Sequence, residues 1–525
     1  MLSEKEPTIQ QTDIAVAPPT HRPMFIAGVM GCCMLGPFIN ILDTNVVNVA
    51  LPRMMSGLGT DILTIRWVVT AYLIATAVTM PAIGWIGRML GNQRLYAIGL
   101  SVFTSASALC GMAPSVEFLI LFRIIQGLGA GVLMPISWAL MIQVSPPEQR
   151  GMATSIWAIG ASLGSLAGLP IGGYFADAVD WRAVFFVNFI PGSLAVLGTI
   201  LLVPASEREE RVPFDGWGFL TLSIALISLL VALSQVQQEG WNSPFILTLL
   251  ALCGLAVPVF LIIESYSANP LIDLSLYKRL LYASGTMVSI IMGVFFYASS
   301  FLVILFAQLV LDYSVQQSAL MLIPGSVAMI IAAYSAGWLV DRFEPRLAMM
   351  LGLFGFCACC YLMVLADRRM TAIFIAWVYI WRGFGLGFLN APVFAVATSG
   401  LEPHRARMAS SLLSLSLVLG GTFGISLLAT LMERWQTIHQ SRFAEAQMLT
   451  SIGTQQALGT FTDIAQGLGL GSGAAGLYAQ GRLSAMLGRE ALVHALNDCF
   501  AFVLVLAIGC VGLVLMMRMV RPPRQ

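Results

Sequence analysis

The chain of 525 residues is strongly apolar, with 58% hydrophobic and 10% charged residues. Soluble globular chains carry about 25% charged residues, so the composition excludes a soluble enzyme or binding domain and predicts a polytopic membrane protein. The formal net charge is +1. Because there is no long basic block, the charge pattern does not indicate a nucleic-acid partner.

Fourteen apolar runs follow a polar leader. Residues 1–23 contain prolines and lack the charged start and apolar middle of a cleavable signal peptide, so we predict a cytoplasmic leader. Each later run has about the 20 residues that a membrane-spanning helix needs. The runs are 25–49, 64–86, 95–113, 117–143, 152–176, 184–203, 217–235, 245–264, 283–307, 317–340, 347–366, 372–398, 408–432 and 498–518. An even number of spans places both termini on one side of the membrane.

Basic residues predict the orientation of these spans. The short connections on the N-terminal side of the membrane hold most of the Lys and Arg residues, among them Arg94, Arg150 and Arg346. Because cytoplasmic loops are enriched in Lys and Arg, both termini are predicted to be cytoplasmic, including the tail 521–525.

An internal repeat divides the chain into two halves. GWIGRMLGNQRL (84–95) recurs in outline as GWLVDRFEPRL (337–347), and RIIQGLGAGVLMP (123–135) as RGFGLGFLNAP (382–392). Related halves are one transporter architecture, with the substrate site between them near mid-membrane. The repeats are further apart than six helices require, so two helices are predicted to be inserted between the halves. The predicted units are a six-helix bundle at 24–205, the inserted helices at 206–275 and a second six-helix bundle at 276–520.

Asp43 is the first candidate functional residue, because it interrupts an apolar run in FINILDTNVVNVALP (38–52). At 100° per residue it shares one helix stripe with Asn40 and Val47. A charge at the centre of a bilayer costs at least about 3 kcal/mol on insertion scales. This cost favours a paired role or a functional role that uses the protonation of Asp43. The alternative is a hydrated carboxylate at the outer interface.

Two arginines occupy similar positions in the repeat. Arginine stays charged, so Arg123 can hold a carboxylate deprotonated but cannot itself release a proton. We predict that Arg123 acts with Asp43, although both Arg123 and Arg382 could instead be packing residues. The predicted polar lining of a substrate cavity is Asn40, Asn48, Gln126, Tyr72 and Arg382. Phe, Met and Trp residues would form its apolar part.

GASLGSLAGLPIGG (160–173) predicts a helix with one closely packed face. Gly160, Gly164, Gly168 and Gly172 recur every four residues, so they form one ridge, and Pro170 removes a backbone donor. The chain shows no phosphate loop, no metal-ligand pattern and no Ser/His/Asp arrangement. Neither enzymatic activity nor a bound cofactor is expected.

Together these motifs, with WRAVFFVNFIPG (181–192), resemble the fourteen-helix drug:proton antiporters of the major facilitator superfamily, EmrB/QacA type. The long outer segment 433–494 resembles the EmrB branch. The resemblance implies a multi-pass protein of the bacterial inner membrane that exports amphiphilic or hydrophobic compounds by alternating access. It also implies that the proton gradient drives export, and that a periplasmic adaptor and a TolC-like outer-membrane channel are partners. An uptake symporter of the same fold and a non-transporting scaffold are the alternatives.

The resemblance also assigns roles to residues. It implies that Asp43 matches the acidic motif of the first helix and Arg123 the arginine of the fourth. Asp43 is therefore predicted to carry the transported proton, with Arg123 acting on it by charge. The gating loops are then Gly84, Arg88, Gly91 and Arg94 in the first half and Asp341 and Arg342 in the second. The ridge glycines, Pro170 and Gly173 match the antiporter motif. The sequence departs from the family at Arg88, where an aspartate is usual, at Leu169, which displaces Pro170 by one position, and at Glu344, where a glycine is usual.

The outer segment 433–494 is longer than a simple connector. Its ends, 432–447 and 480–500, have helical spacing, whereas its glycine-rich middle, 467–476, predicts a flexible link. We expect two amphipathic helices that bind the adaptor, or an ordered flap that covers the outer mouth.

Overall fold

A computed structural model describes residues 23–146, 149–205, 213–446 and 452–517. These residues form helices and connections without any β-strand, which confirms the all-α fold class. The predicted tail 521–525 and nearly all of the leader 1–23 lie outside the described residues.

The described residues of the first half and the inserted pair form nine α-helices. They are α1 (Pro23–Leu58), α2 (Ile62–Leu90), α3 (Asn92–Gly111), α4 (Val116–Val144), α5 (Arg150–Ala178), α6 (Ala183–Phe186), α7 (Phe189–Leu202), α8 (Gly216–Glu239) and α9 (Pro244–Tyr266). Short turns join α2 to α3 and α6 to α7. Helix α1 is longer than the predicted run 25–49, since it continues through Pro52 to Leu58.

The second half contains the remaining helices. They are α10 (Leu280–Gly293), α11 (Ser299–Leu305), α12 (Val315–Leu320), α13 (Ile323–Arg342), α14 (Pro345–Val364), α15 (Ala372–Ala397), α16 (Pro403–Ala446), α17 (Ile452–Gly467) and α18 (Ser472–Met516). A π-helical turn (Val294–Ala298) connects α10 to α11, and a second one (Phe306–Val310) follows α11. A π-turn inserts an extra residue into a helix and is often found at functional positions.

Thirteen helical segments of the described chain are long and apolar enough to cross a membrane. The remaining predicted run, 95–113, forms α3, which has 20 residues. That length also reaches across about 30 Å of hydrocarbon. Helix α3 is less apolar than the other thirteen segments, because it begins with the polar residues Asn92, Gln93 and Arg94. All fourteen predicted runs therefore fall on helices.

The outer segment 433–494 differs from its prediction. Helix α16 continues to Ala446 and α18 begins at Ser472, so both membrane helices extend into the segment. An additional helix, α17, lies between them. The glycine-rich stretch 467–476 was predicted to be a flexible link, which is wrong for most of its length, because only the turn around 468–471 is non-helical and the rest is helix. Glycine weakens a helix by only about 1 kcal/mol, which the packing of α17 on α18 can offset.

Helix α5 packs along α1 through the glycine ridge. A Cβ atom on Gly160 would lie 2.4 Å from the Met34 carbonyl oxygen, and one on Gly164 would lie 2.4 Å from that of Phe38. A Cβ atom on Gly168 would lie 2.7 Å from Asn45 Cβ, and one on Gly172 would lie 2.8 Å from Val46 Cα, in the next turns of α1. Small residues permit such backbone contact between membrane helices. Pro170 is exposed and lies off this ridge.

This contact gives a matched pair of substitutions. Gly164→Ala should push α1 and α5 apart, because its methyl group would meet the Phe38 carbonyl, and overpacking of this kind costs about 1–3 kcal/mol. Gly173→Ala is the control, since its nearest neighbour, Val49 Cγ1, would be 4.0 Å away. Thermal unfolding of the purified protein should show a lower melting temperature for Gly164→Ala alone. Equal melting temperatures would contradict the packing argument.

The inserted helix α8 touches both halves. The Ser426 hydroxyl of α16 donates to the Leu233 carbonyl of α8 at 2.6 Å, and the Trp241 indole donates to the Thr430 hydroxyl at 3.0 Å. Phe214, just before α8, packs against Trp85 of α2 with ring centroids 4.6 Å apart. Helix α8 therefore covers the seam between α2 and α16.

Candidate functional site

A central cavity lies between the two halves. Asn40 and Thr44 of α1 and Tyr72 of α2 line it from the first half. Asn40 is held there by a hydrogen bond from its amide nitrogen to the Ala130 carbonyl of α4, at 3.2 Å. The structure thus places two of the predicted polar residues, Asn40 and Tyr72, at a cavity between the halves.

Most of the cavity lining is apolar and aromatic. Trp157 of α5 and Phe394 of α15 meet across the halves with ring centroids 5.7 Å apart. Further lining residues are Leu73, Met80, Met134, Met292, Phe296, Tyr297, Leu386, Asn390, Ser414, Leu417 and Val418. Methionine and aromatic side chains adapt to ligands of different shape, so this lining suits apolar compounds with few polar groups.

Three predicted cavity residues lie elsewhere. Asn48 is exposed, because its five-residue separation from Asp43 turns it about 140° around α1. Gln126 is fully buried next to Asp43 rather than at the cavity. Arg382 is also buried, and it donates to the Ser299 hydroxyl at 2.8 Å and to the Phe296 carbonyl. Its contact with the π-turn places it behind the cavity lining.

The strongest polar feature is a buried ion pair. Arg123 Nη1 lies 2.6 Å from Asp43 Oδ2, and both side chains have no exposed surface. Asp43 Oδ1 accepts two further hydrogen bonds, from the Gln126 amide at 2.9 Å and from the Asn188 amide at 2.8 Å. A buried carboxylate is stable only if it is paired and hydrogen-bonded, and Asp43 has three donors, two from α4 and one from the connection between α6 and α7.

Arg123 connects this pair to the cavity. Its Nε donates to the Val68 carbonyl at 3.1 Å, and its guanidinium carbon lies 4.1 Å from the centre of the Tyr72 ring. A cation over an aromatic face is attracted to it electrostatically. Because Tyr72 also lines the cavity, its ring separates the ion pair from the space where a ligand would lie.

Asn188 is a site residue that the sequence did not identify. Its amide donates to Asp43 and also to the Ser107 hydroxyl at 3.1 Å, and Ser107 in turn donates to the Phe185 carbonyl at 2.8 Å. Asn188 lies in the short connection between α6 and α7. Its position in WRAVFFVNFIPG could have indicated a role, but helical spacing cannot show a contact between residues so far apart in the chain.

Asp43 lies closer to the middle of its helix than the predicted run 25–49 suggested. Since α1 spans Pro23–Leu58, Asp43 lies about 4 Å from the helix midpoint at 1.5 Å per residue. The residue as a whole is only 1% exposed. This geometry does not fit a hydrated carboxylate at the outer interface.

The sequence profile of the Major Facilitator Superfamily matches residues 33–425, about three quarters of the chain. The chain belongs to this superfamily. It is therefore a multi-pass membrane transporter, and the resemblance in its motifs is confirmed at the level of the superfamily.

Relatives and solved structures of the superfamily agree with this assignment. The chain is 28% identical to the multidrug export protein EmrB of Escherichia coli strain K12, over 78% of this chain and 81% of that one. It is 31% identical to the multidrug resistance protein Stp of Mycobacterium tuberculosis H37Rv, over 76% and 75%. The crystal structure of the human organic anion transporter MFSD10 superposes with a TM-score of 0.55 at 13% identity, covering 93% of this chain and 100% of that one, which supports the fold alone.

The halves of this transporter meet at the end where α13 finishes. Asp341 of α13 accepts hydrogen bonds from the backbone N–H groups of Gly151 at 2.7 Å and Met152 at 2.9 Å, at the start of α5. Carboxylates stabilise helix N-termini, where N–H groups are unpaired and the helix dipole is positive. Arg342 lies beside this contact, with its guanidinium carbon 4.8 Å from the centre of the Trp338 ring.

The equivalent contact in the first half uses different chemistry. Arg407 of α16 donates to the Asn92 side-chain oxygen at 2.6 Å, and a Cβ on Gly87 would lie 2.7 Å from Arg407 Cδ. Gly84 faces Met408 in the same way. Gly91 ends α2 at a φ of 78°, a conformation that glycine adopts without strain.

Two further predicted gating residues, Arg88 and Arg94, lie near this contact. Arg88 is partly buried in the last turn of α2 and Arg94 is exposed in the first turn of α3. Arg88 stands where the family usually has an aspartate. It lies at the end of α2 that faces α16.

Proposed function

We propose that this transporter is a proton-coupled multidrug exporter that moves amphiphilic or hydrophobic compounds through the central cavity. One observation carries the proposal: a buried, titratable ion pair, Asp43–Arg123, lies directly behind Tyr72, which lines an apolar cavity shared by both halves. The names of EmrB and Stp, which describe multidrug export and resistance, support the substrate class.

Proton binding to Asp43 would change the charge of the whole network. In the ionised state, Asp43 balances the charge of Arg123 at 2.6 Å. Protonation leaves Arg123 as a buried cation without its counter-ion, which is unfavourable by several kcal/mol in an apolar interior. The guanidinium can regain stabilisation by moving toward the Tyr72 ring or toward water. Movement of Tyr72 then links the proton to the cavity.

Asn188 can accommodate both states of the carboxyl group. Its amide nitrogen donates to ionised Asp43, whereas its Oδ1 atom is buried without a hydrogen-bond partner among the described residues. Rotation of the amide would present Oδ1 as an acceptor for the O–H of protonated Asp43. An amide can serve as donor or acceptor in this way, so Asn188 would hold Asp43 in place throughout the cycle.

Everted membrane vesicles test the direction and coupling. When respiration acidifies the lumen, we expect vesicles that contain this transporter to accumulate ethidium or rhodamine 6G inside, and an uncoupler to release the dye. Accumulation independent of the proton gradient would contradict proton coupling. Dye loss from the lumen on acidification would indicate an uptake symporter, and no dye movement with any compound in a panel would favour a non-transporting scaffold.

We also propose that the outer helices bind a periplasmic adaptor, which with a TolC-like channel would complete a tripartite pump in an inner membrane with both termini cytoplasmic. The outer part of α18 contacts the segment that follows α11, since Arg489 pairs with Asp312 at 2.8 and 3.2 Å. Two leucines near the tip of the outer segment are exposed: Leu468 in the turn between α17 and α18 is 70% exposed, and Leu477 in α18 is 73% exposed. Exposed leucines at the end of a helical pair suit docking to an apolar groove.

Replacing residues 445–480 by a Gly-Ser linker should leave dye transport in proteoliposomes intact but abolish adaptor co-purification and drug resistance in cells. Leu468→Glu should have the same effect on co-purification, because it places a charge in the apolar contact. Thr460→Glu, which adds the same charge at another exposed position of α17, is the control. If the adaptor still co-purifies at the wild-type ratio with the linker variant and with Leu468→Glu, the segment acts as a flap.

A further inference from the structure

A second pocket lies beside the central cavity, between α2, α8 and α16. Besides the Tyr297 hydroxyl, four of its lining residues are polar: Ser234 and Gln237 of α8, and Thr422 and Ser426 of α16. We call it the side pocket. Ser234 and Gln237 lie in the last two turns of α8, which end in the polar sequence SQVQQE (234–239).

The side pocket and the central cavity share one wall. Leu73, Tyr297 and Val418 line both spaces. The side pocket extends from this wall toward Ser426, which is about 12 Å further along α16 than Val418 at 1.5 Å per residue. Gln237 is exposed, so the far end of the pocket opens near the turn between α8 and α9.

Tyr297 forms part of this shared wall. It lies within the π-turn Val294–Ala298, where the backbone departs from regular α-helical hydrogen bonding. Its ring packs against α16 at Gly421, where an added Cβ atom would clash with Tyr297 Cδ2. A ligand that spans both spaces would pass this ring.

We propose that the side pocket is a second subsite, which binds the uncharged hydrogen-bonding end of an elongated amphiphile whose aromatic body lies in the central cavity. The proposal rests on the proposed export function and specifies part of its ligand class. Three of the polar side chains already donate to backbone carbonyls: the Ser234, Thr422 and Ser426 hydroxyls. Their oxygen atoms can still accept a hydrogen bond, and the Gln237 amide can both donate and accept. The pocket therefore matches ligand groups that donate a hydrogen bond, such as a hydroxyl or an amide N–H. The aromatic lining of the central cavity, including Trp157, Phe296 and Phe394, matches the ring system.

Three fluorescent probes of one chemistry test this subsite. N-dansyl-12-aminododecanol has an aromatic end, a long chain and a terminal hydroxyl; N-dansyl-dodecylamine lacks the hydroxyl; and N-dansyl-6-aminohexanol is short. Binding of each is measured by dansyl fluorescence with the full-length protein in lipid nanodiscs, with empty nanodiscs subtracted. For the wild-type protein, we expect the long hydroxyl probe to bind about 2- to 10-fold more tightly than its analogue without the hydroxyl, which is the range of one net hydrogen bond.

Variants separate the side pocket from the central cavity. Gln237→Leu should reduce the advantage that the hydroxyl gives to the long probe. Ser234→Trp and Thr422→Trp fill the pocket from opposite helices, so each should weaken both long probes about 10-fold or more and leave the short probe unchanged. Ile227→Trp is the control, since Ile227 lies two turns away on α8, is 42% exposed and does not line the pocket.

The outcomes distinguish this inference from the proposed function. If the wild-type protein binds the short probe and both long probes, and neither Ser234→Trp nor Thr422→Trp changes the long probes, the side pocket is not a subsite and the export proposal stands. If the wild-type protein binds none of the probes, the result contradicts both the proposed cavity and its side pocket.

Discussion

Asp43→Asn should abolish proton-coupled export and destabilise the protein. The substitution removes the charge that Arg123 contacts at 2.6 Å in a fully buried site. Loss of one partner from such a pair typically costs about 3–5 kcal/mol, because the remaining charge stays buried and unpaired. We expect dye accumulation in everted vesicles to fall to background and the melting temperature of the purified protein to decrease, while Asp43→Glu, which keeps an ionisable group, should retain part of the transport.

A second substitution separates the structural role of Asp43 from its role in coupling. The double variant Asp43→Asn/Arg123→Gln removes both charges, so most of the lost stability should return. Transport should not return, because no group in the pair can exchange a proton. If the double variant recovers both stability and proton-driven transport, the pair is a packing element and another residue carries the proton.

Asp341→Ala should open the transporter at the end where α13 meets α5. The carboxylate of Asp341 accepts from Gly151 and Met152 of the other half, and removing a helix N-terminal acceptor typically costs about 0.5–2 kcal/mol. A change of 1–2 kcal/mol shifts a two-state population by about 5- to 30-fold. The distribution of basic residues predicts that this end is cytoplasmic, so the expected shift is toward an inward-open state.

Spin-label distances measure this shift. Labels at Arg94→Cys and Leu347→Cys lie in the two halves near this end, and both positions are exposed. We expect a longer-distance population to grow in Asp341→Ala. Glu344→Ala is the control, because Glu344 pairs with Arg346, 3.3 Å away on the same helix end, rather than with the other half. Identical distance distributions in the two variants would rule out a gating role for Asp341.

Sequence patterns predicted the features that depend on one helix or on a repeat. The apolar runs gave the positions of the helices, and the glycine spacing at 160–172 gave the contact face of α5, which packs on α1. The cost of burying Asp43 indicated a partner, and Arg123 provides it at 2.6 Å. These inferences hold because burial cost and helical periodicity are local properties.

Contacts between distant segments could not be read from spacing. Asn188 reaches Asp43 from the connection between α6 and α7, and nothing in its own neighbourhood predicts that neighbour. Gln126 was predicted to line the cavity because it is polar, but its amide nitrogen donates a hydrogen bond to Asp43 Oδ1 in the buried network. Asn48 was included for the same reason, although its angular position on α1 places it on another face.

Proton movement driven by drug is the most direct test of the central claim. Proteoliposomes that hold an acidic lumen and the pH-sensitive dye pyranine would receive rhodamine 6G from outside. The wild-type transporter should release protons from the lumen at a rate that rises with the rhodamine concentration, and Asp43→Asn should show no such dependence. Equal rhodamine-dependent proton release by both proteins would contradict the role of Asp43 as the proton carrier.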